Sequence, residues 1–296
     1  MATQDKIRVT SIGDIAHQAL MRQPAGFVTG TTSQGIFLQL YEDLTLFLTR
    51  DPFRGPLTIN IRDESGGFAS IQPEDTAEFA EDTITFSDSG QMIGLDKPLI
   101  WKPASPPKLS RQSTAEYTQI VGQVQAITPE HPDLPLLEIV TKGAPGLLRE
   151  LPRIAPRIRQ LAKSMEGNNP SDIISEMKLI LGAGAGLTPL GDDILLGILL
   201  AVTRTKMQEY ILGDAIRINH TVINAAKEKT TRVSWSLLSC AVQGTADERI
   251  IRVLDGLIAS REIPDPDLES LLDWGSSSGM AVLIGIVIAL SSLPEL

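Results

Sequence analysis

The chain has a single cysteine among 296 residues, so it cannot form an internal disulfide. A reducing, cytoplasmic compartment is the simplest expectation. Histidine is nearly as scarce. His17, His131 and His220 lie far apart, without ligand spacing, and no Cys/His cluster suggests zinc. Positive charge is also short: 26 Lys and Arg against 36 Asp and Glu leave a net charge of −10 and a pI near 4.9. Such a chain lacks the basic stripe that phosphate backbones require, which argues against nucleic acid and anionic membrane surfaces as partners. No apolar run approaches the ~20 residues needed to span a bilayer. Met280 to Leu290 reads as a buried helix instead, and residues 1–20 carry no signal-peptide pattern.

A hydrophobic fraction of 42% is enough for a sizeable core, so the chain is globular rather than disordered. Its pattern changes midway, and an α+β fold is predicted. Residues 1–101 hold short apolar runs cut by Gly, Thr and Ser: 26–28, 34–40, 44–48, 57–61, 83–86 and 99–101. Breaks are predicted at Tyr41-Glu42-Asp43 and Gly66-Gly67, and Leu57 to Ile61 alternates with one apolar face. No helical period separates these runs, which points to an antiparallel β-rich, barrel-like domain. The proline-dense segment 102–108 is the predicted linker.

Residues 109–296 then read as a larger all-helical domain with buried apolar helices. Ala115, Ile120, Val121 and Val124 share one helical face, and the three prolines between Ile127 and Pro135 mark a break. Leu147 to Met165 reads as a kinked or divided helix because of Pro152 and Pro156. Its arginines, Arg149, Arg153, Arg157 and Arg159, form either a solvated face or an anion site. Ser171 is a plausible N-cap for the helix that follows Pro170. Cys240 falls in an apolar helix, as a packing residue.

The least ordinary stretch is Leu181 to Val202, LGAGAGLTPLGDDILLGILLAV. A glycine loop opening a helix presents unpaired amides that favour an anion, so Gly182, Gly184, Gly186, Leu187, Thr188 and Gly191 form a candidate anion site. A dinucleotide fingerprint fails, because Leu187 stands where a third glycine is needed and no acidic residue follows about 20 positions on. A Walker loop fails as well, since the glycine is followed by Asp192-Asp193 rather than Lys-Ser/Thr. One aspartate can serve as a first-turn capping charge. The other can bind a hard cation such as Mg²⁺, or accept a hydrogen bond from an amide substrate.

Two further loops carry polar groups. Thr230 to Ser234 opens an apolar helix, with Thr231, Arg232 and Ser234 suited to a carboxylate or phosphate and Ser234 a possible N-cap. Ser277, Ser278 and Gly279 open the last helix. The run 194–202 is echoed by 282–290, with a glycine at the fourth position of each. That suggests two adjacent buried helices in close contact, whose N-termini meet at one pocket.

GAGAGLTPLGDD followed by an apolar helix resembles the signature of a family long catalogued as a domain of unknown function, which includes the AllH subunit of oxamate carbamoyltransferase. The segments 230–244 and 275–285 are similar to further stretches of that family, and 55–59 less specifically so. The resemblance implies a role in anaerobic allantoin breakdown. There a carbamoyl group moves between oxalurate and phosphate, giving oxamate and carbamoyl phosphate, with the help of other protein subunits. Relatives are expected to carry a polar or acidic residue where this chain has Met280 and Ala281. On this reading Asp192 and Asp193 are the catalytic or metal-binding pair.

Overall fold

The computed structural model describes residues 7–40, 44–63, 67–80, 83–110, 114–142, 154–205 and 215–292. The chain divides into two compact units, Met1–Pro103 and Ala104–Leu296.

The first unit is a closed barrel. Its strands are β1 (Ile7–Gly13), β2 (Ala25–Thr31), β3 (Gly35–Leu40), β4 (Thr45–Thr49), β5 (Thr58–Arg62), β6 (Thr76–Phe79), β7 (Thr83–Phe86), β8 (Met92–Gly94) and β9 (Leu99–Trp101). The order β5-β4-β3-β2-β6-β7-β8-β1 closes because β1 also pairs with β5, which leaves an eight-stranded ring. Strand β1 reaches far enough to hold two partners on its other edge. Ile7 and Arg8 lie against β8, and Ser11 to Gly13 against β9. Most pairs are antiparallel, as expected, but β4–β5, β1–β8 and β1–β9 are parallel.

Two local expectations fail here for physical reasons. Residues 57–61 do not alternate strictly between core and surface, because Asn60 is buried between Ile59 and Ile61. Its side chain takes a hydrogen bond from Ser11 Oγ (2.9 Å) and donates to the carbonyls of Asp51 and Phe53 (2.8 Å each). A polar group so fully partnered is tolerated inside. The unit also contains a helix, α1 (Asp14–Arg22), which the sequence pattern did not suggest. Ala16, Ala19 and Leu20 bury one face, at a spacing too brief to stand out among strands. The break at Tyr41 to Asp43 lies outside the described residues, as does Gly66, while Gly67 opens a short 3₁₀ turn.

The second unit is helical throughout its described residues. Its helices are α2 (Thr114–Ile127), α3 (Leu134–Lys142), α4 (Ala155–Glu166), α5 (Pro170–Ile180), α6 (Leu190–Arg204), α7 (Ala215–Lys229), α8 (Arg232–Ala241), α9 (Glu248–Ile258), α10 (Asp265–Leu272) and α11 (Ser278–Ser291). Ile120, Val121 and Val124 of α2 are buried as their spacing predicts, whereas the Ala115 side chain lies outside the description. Leu147 to Arg153, with Pro152, Arg149 and Arg153, are also outside it. Pro156 sits in the first turn of α4, where a proline breaks no hydrogen bond. Arg157 does not stand free on a basic face: its Nη1 donates to the carbonyl of Leu179 (2.7 Å).

Helices α6 and α11 form the centre, and nearly every residue of each is buried. They are neighbours, as the sequence echo suggests, and each carries glycine at its second and eighth positions. A Cβ on Gly197 would run into the Val282 carbonyl, and one on Gly285 into the Ile194 carbonyl. The second-position glycines meet the preceding helix instead, Gly191 against the Ile180 carbonyl and Gly279 against that of Leu271. Segments α5–α6 and α10–α11 therefore repeat one packing scheme. At the far end of α6, the buried Arg204 guanidinium bonds both Asp255 oxygens (2.8 and 2.6 Å) and the carbonyls of Gly244 and Ala104. A cation here also complements the helix C-terminus. No helix of the described residues is long and apolar enough to cross a membrane.

Candidate functional site

The loop from Leu181 to Pro189 leaves α5 and enters α6. Gly182, Gly184 and Gly186 all have positive φ (71°, 130° and 96°), so the backbone turns repeatedly where a side chain would be strained. Gly182 also lies so close to the Lys229 carbonyl that a Cβ would collide with it, whereas nothing lies near Gly186. Gly184 to Leu187 are exposed. Among the described residues, the amides of Gly184 to Thr188 make no hydrogen bond.

The two aspartates that follow have opposite surroundings. Asp192 is 1% exposed and fully engaged. Its Oδ1 accepts the Gly182 amide (2.7 Å), and its Oδ2 accepts the hydroxyl of Thr230. Burial raises its pKa, while the Gly182 amide and the Thr230 and Ser234 hydroxyls pull it back down. Asp192 thus ties the start of the glycine loop to the α7–α8 junction.

Asp193 is 2% exposed, yet its Oδ2 has no hydrogen-bond partner among the described residues. Burial pushes its pKa up to about 7. The Ser278 and Thr188 hydroxyls favour the charged form and oppose this, while the neighbouring Asp192 charge adds to it. Those two hydroxyls touch each other, Thr188 Oγ1 to Ser278 Oγ, at 3.1 Å. A bond spanning 90 positions thereby joins the loop before α6 to the first residue of α11. The predicted meeting of the two helix N-termini is present, and Asp193 lies beneath it.

The loop is held on its other side by α8. Thr231 Oγ1 donates to the Leu187 carbonyl (2.6 Å), and Ser234 Oγ makes a longer contact with the same oxygen (3.5 Å). Thr231, not Ser234, is the N-cap, since its side chain accepts the Ser234 amide (3.0 Å). Likewise Asn169, not Ser171, caps α5: a residue ahead of Pro170 stands outside the helix with its side chain free to turn back.

Of the predicted site residues, the structure brings together Gly182, Gly184, Gly186, Leu187, Thr188, Gly191, Asp192, Asp193, Thr231, Ser234 and Ser278. Gly191 and Gly279 are there for packing, and Ser277 is the N-cap position of α11 without a side-chain cap bond. Arg232 is exposed in the first turn of α8. The missed residue is Thr230, whose hydroxyl completes the Asp192 latch. A threonine immediately ahead of an N-cap threonine was the available signal. A Mg²⁺ shared by both aspartates would have to displace the Gly182 and Thr230 bonds. The Asp193 carboxyl with the Thr188 and Ser278 hydroxyls is the donor set that remains. No group of three or more His, Cys, Asp and Glu side chains able to hold a metal occurs among the described residues.

Residues 180–290, a little over a third of the chain, match the family model described as oxamate carbamoyltransferase subunit AllH. The match starts at the last residue of α5 and ends within α11, so it spans the glycine loop, both aspartates, the Thr230 junction and Ser278. The resemblance carried by the GLTPLGDD motif therefore holds over this region. No solved structure matches the chain.

Proposed function

We propose that the chain is a subunit of a cytoplasmic carbamoyltransferase acting on a small ureido- or oxamate-type anion, together with other protein subunits. The reaction is oxalurate plus phosphate to oxamate plus carbamoyl phosphate, a step of allantoin degradation. The observation that carries this reading is the buried Oδ2 of Asp193, which has no hydrogen-bond partner among the described residues and stands in the first turn after a loop whose amides, from Gly184 to Thr188, make no hydrogen bond among those residues. A carbamoyl substrate has complementary halves. Its anionic end suits the amides of Gly184 to Thr188, and its N–H groups suit a carboxyl acceptor. Asp193 accepts a substrate N–H or relays a proton, and its neighbour Asp192 shapes the loop. Arg232 offers a cation at the rim for a carboxylate.

The rival reading is a structural or regulatory subunit whose glycines serve packing alone. Gly191, Gly197, Gly279 and Gly285 fit it, but Gly186 does not, having positive φ and no neighbour to avoid. Thermal shift of the purified chain with phosphate, carbamoyl phosphate or oxamate separates the two. A ligand at 100 times its Kd adds roughly 2.7 kcal/mol of stability. Asp193→Ala is expected to abolish turnover in the assembled complex. Unchanged turnover in that variant, or no shift with any of the three anions, overturns the reading.

A further inference from the structure

We propose that Arg157 and Lys229 form a cationic brace at the carbonyl end of α5 that enables the glycine loop to hold an anion. The proposal rests on the anion-binding part of the reading above and assigns the positive charge which that reading needs outside the loop.

The glycine loop leaves one helix before it enters the next. Helix α6 offers its amide end, but α5 presents its carbonyl end, the negative pole of its dipole, where the loop begins. Asp192 adds a carboxylate at the first loop glycine, whose amide it accepts. The whole chain carries a net charge of −10. An anion on the amides of Gly184 to Thr188 is therefore opposed from several directions unless positive charge stands nearby.

The last four carbonyls of α5 show where that charge is. Met177 takes the Leu181 amide and Ile180 takes the Ala183 amide. The remaining two take cations: Lys229 Nζ donates to the Lys178 carbonyl (3.0 Å), and Arg157 Nη1 to the Leu179 carbonyl (2.7 Å). The two side chains come from different helices, α7 and α4. Both are exposed, so water could satisfy the same carbonyls, and hydrogen bonding alone does not call for a charge at either place.

The charges are also uncancelled. Neither Arg157 nor Lys229 forms an ion pair among the described residues, whereas Arg50, Arg204, Arg249 and Arg252 all pair with carboxylates. The contrast is plain beyond α10, in the corner that repeats this packing. There Arg249 lies over the Trp274 ring and bonds both oxygens of Asp247, so its charge is already matched. Lys229 is moreover tied to the glycine loop by its backbone. Its carbonyl stands against Gly182, where a Cβ would collide with it, and the next residue, Thr230, bonds Asp192. Arg157 and Lys229 are positioning residues in this scheme. They neutralise the negative end of α5 and leave the loop amides free to bind the anion.

The test is calorimetric titration of the full chain with inorganic phosphate at low and high ionic strength. Lys229→Gln and Arg157→Gln keep an N–H donor for the carbonyl and lose only the charge. Each is expected to weaken phosphate binding about two- to fivefold at low salt, and the double variant about tenfold. Lys229→Arg restores the affinity, and the differences shrink at about 1 M NaCl, where charges are screened within about 3 Å. A structural role predicts otherwise: Lys229→Gln would bind like the unmodified chain, and only Lys229→Met, which lacks the donor, would bind worse. That pattern, unchanged affinity in the double variant, or a loss that salt does not reduce overturns the brace and leaves the transferase reading standing. No phosphate binding by the unmodified chain also overturns the brace. If carbamoyl phosphate and oxamate fail to bind as well, the transferase reading falls with it.

Discussion

Gly197 and Gly285 are the eighth residues of their helices, and each fits against the other helix at a backbone carbonyl, that of Val282 and of Ile194 respectively. The contact is reciprocal, so neither helix can gain a methyl group without moving its neighbour. Gly197→Ala and Gly285→Ala are each expected to destabilise the chain by about 3 kcal/mol, the upper range for overpacking a tight core. Urea denaturation measures this. An unchanged midpoint for either variant would show that the helices can separate at little cost.

Asp193 gives the second unit a distinctive pH response. Its folded pKa of about 7 lies above the unfolded value near 3.9, so the folded state holds the extra proton between them. Stability therefore falls as pH rises from about 4 to about 7 and levels off above that, by up to about 4 kcal/mol. The raised pKa of Asp192 acts in the same direction. Asp193→Asn has no charge to bury, so its advantage over the unmodified chain should widen between pH 5 and pH 8. Parallel denaturation curves at both values check this, and a constant gap would contradict the burial of that carboxyl.

Asp192 calls for a different measurement. Removing its carboxylate in Asp192→Ala leaves the Gly182 amide and the Thr230 hydroxyl without an acceptor, at about 1–3 kcal/mol. The glycine loop should then be cut faster by a nonspecific protease between Gly184 and Leu187. Thr230→Val should show a milder form of the same change. Equal cleavage rates in all three proteins would remove the latch assignment.

Arg204 is a stability residue remote from the chemistry. Arg204→Ala strands the Asp255 carboxylate and two carbonyls, and a loss of about 3–5 kcal/mol is expected. Replacing both partners, Arg204→Met with Asp255→Leu, should recover much of that loss. Chemical denaturation of the single and double variants decides the point.

What the sequence made visible was whatever repeats or stands out locally. The glycines of 194–202 and 282–290 announced the helix pair because close approach leaves a mark on composition. The closure of the barrel was less legible, since the β1–β5 pairing joins residues about 50 positions apart and leaves no local trace. Helix α1 was hidden by its shortness. The different fates of Asp192 and Asp193 were beyond any reading of the motif. They depend on Thr230 and Ser278, which are 38 and 85 positions downstream of the aspartate each attends. The caps misassigned to Ser171 and Ser234 failed for a similar reason: either of two neighbouring polar residues could turn back, and only the backbone path selects one.

The glycine crossing of α6 and α11 also acts as a gauge. It lies about 9 Å along α6 from Gly191, at 1.5 Å per residue, and equally far along α11 from Gly279. Backbone-to-backbone contact there sets the spacing of the two helices with little slack, and therefore sets how far apart their leading ends stand. Thr188 and Ser278 meet at those ends. Enlarging the crossing would splay them, so a methyl group buried two turns away should appear kinetically as a defect in catalysis.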